Sequence, residues 1–129
     1  MSEAFEGQRA RVTARYGRVY PDPIVMHVGD EIRVEREDEE APSWWWCVHP
    51  DGRNGWVPEG YFTRRGSVGV AQRGYSAVEL TVEEGEEVAL GEFVNGWYWV
   101  TNAAGERGWV PAAHLELILS HSSFAEPTD

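Results

Sequence analysis

The sequence predicts an all-β protein built as two small β-barrels in tandem. Three observations support this prediction: an internal repeat, short segments in which apolar and polar residues alternate, and turn residues at close intervals. The segment WWWCVHPDGRNGWVP at 44–58 aligns without gaps with WYWVTNAAGERGWVP at 97–111. Upstream, VGDEIRV at 28–34 matches EGEEVAL at 84–90. Self-similarity at a fixed period indicates that each copy is one structural unit.

The two copies divide the chain into four predicted segments. Copy one covers residues 9–65 and copy two covers residues 66–119, with a linker of a few residues at 64–67. About 55 to 65 residues suffice for a small independent core. Residues 1–8 and 120–129 are polar and lack periodicity, so we expect both ends to be frayed.

Period-two alternation favours strands over helices in both copies. Ile32 and Val34 in copy one match Val88 and Leu90 in copy two, and each pair follows a turn glycine. No segment has the apolar spacing of an amphipathic helix. Many short strands in fewer than 60 residues are typical of a small barrel or of two packed sheets.

Charge and composition exclude several classes of partner. The net charge is −11 at pH 7, which would repel both a phosphate backbone and an anionic membrane surface. We therefore expect neither nucleic acid nor membrane as a partner. Residues 67–119 hold two Arg against eight acids, so a basic partner would prefer copy two.

The single cysteine and the type of basic residue allow predictions about the cellular compartment and the source organism. The single Cys47 cannot form an intrachain disulfide, and the sequence shows neither a signal peptide nor an apolar run of about 18 residues. These features predict a cytoplasmic location. All eleven basic residues are Arg, a bias that indicates GC-rich coding and a bacterial source.

Four ordered elements, present twice, resemble the SH3 domain in its eukaryotic signalling form. Copy one shows Tyr16 at the end of the first strand, Tyr-Pro-Asp-Pro at 20–23 in the position of the acidic RT loop, Gly-Asp-Glu at 29–31, Trp-Trp at 44–45 and Gly-Trp-Val-Pro at 55–58. Copy two shows Tyr75, Gly-Glu at 85–86, Trp-Tyr at 97–98 and Gly-Trp-Val-Pro at 108–111. The resemblance covers about 110 residues and implies two SH3-like small β-barrels in tandem. The opening signature of the bacterial cell-wall SH3 variety is missing, which argues against wall binding.

The resemblance implies a shallow aromatic groove that binds proline-rich peptides, because a polyproline II helix is already ordered and fits between flat rings. Its implied partner is a proline-rich or Arg-containing protein segment. Asp22 and the acidic run at 35–40 would receive the basic side chain, and the family places Trp44 and Trp97 on the surface. The implied groove residues are Tyr16, Trp44, Pro58 and Tyr61 in copy one, and Tyr75, Trp97, Pro111 and His114 in copy two.

Departures from the family pattern leave an alternative function open. The earlier tyrosine of the first strand is Ala14 in copy one and Arg73 in copy two, and the groove asparagine is replaced by Gly60 and Ala113. In copy two His114 replaces the groove tyrosine. Copy one thus keeps more of a groove than copy two, so we expect the groove of copy one to bind the proline-rich or basic peptide. The alternative is a structural or assembly module whose altered grooves serve interdomain packing or a homodimer.

Catalysis, cofactor binding and metal binding are not expected. The four His residues are scattered, and no paired His or Cys spacing typical of a metal site occurs. No Gly-rich phosphate loop or nucleophile elbow is present. Cys47 lies at a position that Val100 occupies in the other copy, which indicates packing and not a nucleophile.

Overall fold

The computed structural model describes residues 8–119, and the two predicted frayed ends lie outside them except for Gln8. Within this range the chain is almost entirely β, which confirms the predicted fold class. The elements are β1 (Arg9–Val12), β2 (Val25–Met26), β3 (Glu31–Glu37), β4 (Trp44–Val48), β5 (Asn54–Pro58), β6 (Phe62–Arg65), β7 (Val68–Ala71), β8 (Tyr75–Ser76), β9 (Glu87–Val94), β10 (Trp97–Thr101), β11 (Arg107–Pro111), a 3₁₀ turn (Ala112–His114) and β12 (Leu115–Ile118). No helix in these residues has the length and hydropathy needed to cross a membrane.

The compact units do not coincide with the sequence copies. Within the described residues, unit 1 comprises residues 8–18 and 80–119, and unit 2 comprises residues 19–79. The chain therefore passes from one unit to the other twice. The sequence placed the boundary at 65/66, but the structure divides the chain at 18/19 and at 79/80.

Unit 1 is a five-stranded sheet in the order β11-β10-β9-β1-β12. Strand β1 comes from copy one, while the other four strands come from copy two. Ala10 and Val12 of β1 are buried in the unit 1 core. This core also contains five buried side chains of copy two: Leu80, Val82, Val88, Val100 and Val110.

Unit 2 is the reciprocal arrangement, with a five-stranded sheet in the order β5-β4-β3-β7-β6 and a small two-stranded sheet of β2 and β8. Here β7 and β8 come from copy two and the remaining strands from copy one. Ala71 of β7 and Tyr75 of β8 are buried in this unit. Each copy thus gives its first strand to the unit that the other copy mostly builds.

The connection between β6 and β7 explains the exchange. Arg65 pairs with Val68, so only Gly66 and Ser67 separate the two strands. Gly66 has φ +59°, a left-handed conformation that glycine adopts without a steric penalty. A two-residue turn keeps β7 antiparallel to β6 in the same sheet. The predicted linker at 64–67 is therefore a hairpin turn inside unit 2.

Candidate functional site

Unit 1 carries a cluster of partly exposed rings that we call the unit 1 aromatic set: Tyr16, Trp97, Pro111 and His114. The ring centroid of Tyr16 lies 5.7 Å from that of Trp97 and 5.4 Å from that of His114, both edge to face. Trp97 on β10 lies directly opposite Pro111 on β11. Three aromatic rings and a proline thus form one partly exposed surface.

Hydrogen bonds to backbone atoms hold Tyr16 and His114 in this set. Tyr16 and Val82 exchange two backbone hydrogen bonds of 3.0 and 2.9 Å, which hold the tyrosine against the part of the unit supplied by copy two. The Nδ1 atom of His114 lies 3.1 Å from the carbonyl oxygen of Ala14. Because a carbonyl oxygen can only accept, Nδ1 donates this hydrogen bond.

The equivalent residues of unit 2, namely Trp44, Pro58, Tyr61 and Tyr75, form the unit 2 aromatic set. Tyr61 and Tyr75 pack edge to face with centroids 5.3 Å apart. Only 6% of Trp44 and 9% of each tyrosine is exposed, and Pro58 is fully buried. The guanidinium carbon of Arg73 lies 4.2 Å from the centroid of the Tyr61 ring and covers its face. This set is closed, in contrast to the set of unit 1.

The burial of Trp44 leaves an uncompensated polar group. Its Nε1 atom is buried and has no hydrogen-bond partner within the described residues. A buried unpaired donor costs about 1–3 kcal/mol. The expectation that Trp44 lies on the surface is therefore wrong, whereas Trp97 is partly exposed as expected.

Strand exchange also changes which predicted residues lie together. The sequence grouped Tyr16 with Trp44 and Tyr61, but the structure places Tyr16 beside Trp97 and His114, because the first strand of copy one belongs to unit 1. For the same reason Tyr75 packs on Tyr61.

The predicted acidic residues lie in unit 2. Asp22 is exposed, and its backbone carbonyl accepts a hydrogen bond from the N–H of Asn54 at 3.1 Å. Within the acidic run, the carboxylates of Glu37 and Asp38 accept hydrogen bonds from backbone N–H groups of Ser43 and Glu40. These carboxylates stabilise their own loop.

Each unit has a second aromatic pair, on the same two strands as the tryptophan and the proline of its aromatic set. Trp46 and Trp56 lie edge to face at 5.2 Å in unit 2, and Trp99 and Trp109 do so at 5.3 Å in unit 1. Each pair is directly opposite across its two strands. Trp44 and Trp46 are two residues apart on β4, and Trp97 and Trp99 are two residues apart on β10, so each second pair lies on the same sheet face as the aromatic set of its unit. This spacing is the sequence signal from which the second pairs could have been predicted.

The remaining reactive groups are held in structural environments. Cys47 is fully buried, and its burial, with the nearby charge of Glu35, raises the pKa of the thiol to about 12. The backbone N–H of His27 and the ring of His49 hold the pKa of Asp30 below its usual value. Within residues 8–119 no group of three or more His, Cys, Asp or Glu side chains could hold a metal ion.

Comparison with known families gives a double match. The family model described as the variant SH3 domain matches residues 9–62 and again residues 70–118, which together make up most of the chain. The chain belongs to the variant SH3 domain family. SH3 domains generally mediate protein–protein interaction and are typically non-catalytic. No solved structure matches the chain.

The two SH3 matches follow the sequence copies, each starting near the first strand of its copy. The compact units instead combine one first strand with the remaining strands of the other copy. Each SH3-type unit of this chain, and each aromatic set, is therefore assembled from both matches.

Proposed function

We propose that this tandem SH3 protein is a non-catalytic interaction module whose unit 1 aromatic set binds an extended, proline-rich or basic segment of another protein. The observation that supports this most strongly is the difference in exposure between the two sets. Tyr16, Trp97, Pro111 and His114 are all partly exposed, whereas every equivalent residue in unit 2 is buried. An exposed aromatic cluster on a soluble domain usually marks a partner site.

The chemistry of the unit 1 aromatic set suits a polyproline II segment. Such a segment carries no internal hydrogen bonds and is already extended, so binding costs little conformational entropy. Trp97 and Tyr16 present rings at nearly perpendicular planes, with an angle of 84° between them. A proline ring can pack into the angle between two such faces.

Charge favours a basic segment as the partner. The chain carries a net charge of −11, and the described residues of unit 1 hold seven Glu against five Arg. Complementary charge mainly increases the rate of association and selects among partners. The partner we propose is therefore a proline-rich segment that contains Arg.

The closed set of unit 2 favours a second role, in packing. Pro58 and Trp44 are buried, and Arg73 covers the ring of Tyr61. We propose that unit 2 binds no peptide and serves assembly. This proposal replaces the expectation that the groove of copy one binds the peptide, because Trp44, Pro58 and Tyr61 are buried. It keeps the alternative function, assembly, for unit 2. The predicted homodimer and the predicted cytoplasmic location stay predictions.

The test is an amide NMR titration of the full chain with a panel of Arg-containing proline-rich peptides. We expect the indole Nε1–H signal of Trp97 to shift while that of Trp44 stays unchanged. Trp97→Ala should abolish binding, and Leu117→Ala, which removes an exposed apolar side chain of the same unit, should leave it intact. Unshifted Trp97 signals at millimolar peptide would contradict the proposal and leave assembly, measured by sedimentation, as the function.

A further inference from the structure

Strand β12 lies at one edge of the unit 1 sheet. Within residues 8–119 it pairs with β1 alone, and its other side has no neighbouring strand in the sheet order. The segment 115–119 has the sequence Leu-Glu-Leu-Ile-Leu. Leu117 is 42% exposed and Leu119 is 58% exposed. An exposed apolar edge strand is a template on which a further strand can pair.

The hydrogen-bond pattern shows which backbone groups of β12 point away from the sheet. Thr13 N–H donates to the carbonyl oxygen of His114 at 2.8 Å, so the backbone of His114 is directed toward β1. Directions alternate along a strand, so Glu116 also bonds toward β1 and the N–H and carbonyl of Leu117 point outward. Within the described residues no hydrogen bond reaches these two groups of Leu117.

Unit 2 carries charge at the equivalent edge. Its edge strand is β6, and the aligned repeats place Arg64 and Arg65 where β12 has Leu117 and Ile118. Both arginines are exposed. Charged side chains on an edge strand commonly prevent the addition of a further strand. The edge of unit 2 has this protection, whereas β12 of unit 1 presents apolar side chains instead.

We propose that β12 pairs with β12 of a second copy of the chain, antiparallel and centred on Leu117, to form a symmetric dimer. A two-fold axis at this residue lets the two Leu117 residues exchange two backbone hydrogen bonds, which satisfies the outward N–H and carbonyl of each. This surface differs from the altered grooves through which the sequence predicted a homodimer. The proposal does not depend on peptide binding by unit 1.

The order of residues in the segment favours a second copy as the added strand. The leucines at 115, 117 and 119 are symmetric about Leu117, so antiparallel pairing places leucine opposite leucine at all three positions of one face. On the other face Glu116 lies opposite Ile118 of the second copy. A register centred on Glu116 would instead place two carboxylates opposite each other, which destabilises a strand pair.

Charge across the proposed pair is complementary. Arg9 lies opposite Ile118 in its own chain, and Ile118 lies opposite Glu116 of the second copy in the proposed register. These three side chains form a row on one face of adjacent strands. Neighbouring strands are about 4.8 Å apart, so the arginine of one copy and the carboxylate of the other lie about 10 Å apart. Opposite charges at this distance favour the register centred on Leu117.

The small size of this contact predicts a weak dimer. Stable interfaces bury about 800 Å² on each partner, and five residues of one strand edge bury less. The net charge of −11 on each chain also opposes association at low salt. We therefore expect a dimer that is half formed at about 0.1–1 mM chain when about 0.5 M NaCl screens this repulsion.

The test is sedimentation of the full chain over a concentration series in this salt, without peptide. Leu117→Lys places two ammonium groups opposite each other at the two-fold axis and should weaken association at least tenfold. Val68→Lys makes the same charge change at an exposed apolar residue of unit 2 and should leave association unchanged. Leu117→Pro removes the outward N–H without adding charge, at an edge position that tolerates proline, and should also abolish the dimer. The indole signals of each variant verify that it folds.

Hydrogen exchange of the Leu117 amide locates the contact. Its exchange should slow as the concentration of the natural protein rises, because this N–H is bonded only in the dimer. Slow exchange at every concentration would mean that the edge is already covered within one chain. That result, a monomer at about 1 mM chain, or a dimer that both Leu117 variants retain would overturn the proposal. Peptide binding is measured separately through Trp97, so its success or failure leaves this outcome unchanged.

Discussion

Arg65 and Val68 face each other as the closing pair of a two-residue hairpin turn. Val34 N–H donates to the carbonyl oxygen of Ser67 at 2.8 Å, which anchors this turn to β3. Strand β7 is therefore held between β3 and β6 in unit 2. In unit 1 the equivalent place, between β9 and β12, is filled by β1. Because the turn keeps β7 in unit 2, Tyr75 belongs to the unit 2 aromatic set and Tyr16, which follows β1, belongs to the unit 1 aromatic set.

The packing of Gly69 in β7 gives a prediction about unit 2. A Cβ atom at this residue would lie 2.9 Å from Cγ2 of Val34 and 3.1 Å from Cγ1 of Ile32, both on β3. Gly69→Ala should destabilise the protein by about 1–2 kcal/mol, since overpacking costs more than the reduced unfolded-state entropy offsets. Denaturant unfolding measures the effect.

The matched control for this prediction is Gly74→Ala. The nearest atom to a Cβ at Gly74 is the carbonyl oxygen of Met26 at 3.8 Å, which is ordinary contact. This variant should be neutral or more stable by up to about 1 kcal/mol. Equal stabilities of the two variants would show that β7 does not pack on β3 as described.

Trp44 is buried and Trp97 is partly exposed, so replacing each by alanine should lower the free energy of unfolding by different amounts. Trp44→Ala removes a buried indole and should lower the free energy of unfolding by about 3–5 kcal/mol. Trp97→Ala removes a partly exposed indole and should cost less than about 2 kcal/mol. Denaturant unfolding of both variants checks the difference, and a Trp97 variant as unstable as the Trp44 variant would contradict an open unit 1 aromatic set.

The hydrogen bonds of Asp30 predict a pH dependence of stability. The backbone N–H of His27 donates to its carboxylate at 2.9 Å and the ring of His49 lies 3.0 Å away, and both hold its pKa down. A depressed folded-state pKa stabilises the protein above the unfolded-state value of about 3.9, and this contribution is lost as pH falls through the folded value.

Asp30→Asn should therefore be less stable than the natural protein at pH 7, and the difference should shrink as pH falls below about 4. Denaturation midpoints measured across this range test it. Glu39→Gln, at an exposed carboxylate of the same unit, controls for the loss of one charge. A difference that stays constant down to low pH would mean that the hydrogen bonds to the carboxylate do not stabilise the fold.

Much of the fold was predictable from local pattern. Alternation at Ile32 and Val34, and at Val88 and Leu90, predicted strands that the structure contains as β3 and β9. The turn glycines Gly29 and Gly85 have φ of +91° and +95°, as the repeat alignment implied.

The origin of each first strand was harder to predict, because β1 and β7 are both short and alternating and fit either unit. The available signal was Gly66-Ser67 between two strand-like segments, a dipeptide typical of two-residue hairpins. The same dipeptide also fits the linker that the repeat predicts at 64–67. The difference in burial between Trp44 and Trp97 had no local signal, because both residues occupy the same register position opposite a proline.

The most direct test of the account is a disulfide cross-link that reports the partner of β1. Arg11 lies directly opposite Glu116 on β12, and their side chains form a 2.7 Å ion pair. Without exchange, the repeat alignment would place Thr63 of β6 opposite Arg11 instead. Opposed strand residues are close enough for a disulfide, and the buried Cys47 with its raised pKa should not compete.

We expect the double variant Arg11→Cys, Glu116→Cys to form an intramolecular disulfide on mild oxidation, whereas Arg11→Cys, Thr63→Cys stays reduced. Mass spectrometry of the oxidised, proteolysed monomers identifies the linked segments. A disulfide between residues 11 and 63, with none between 11 and 116, would show that each copy keeps its own first strand and would contradict the composite aromatic sets.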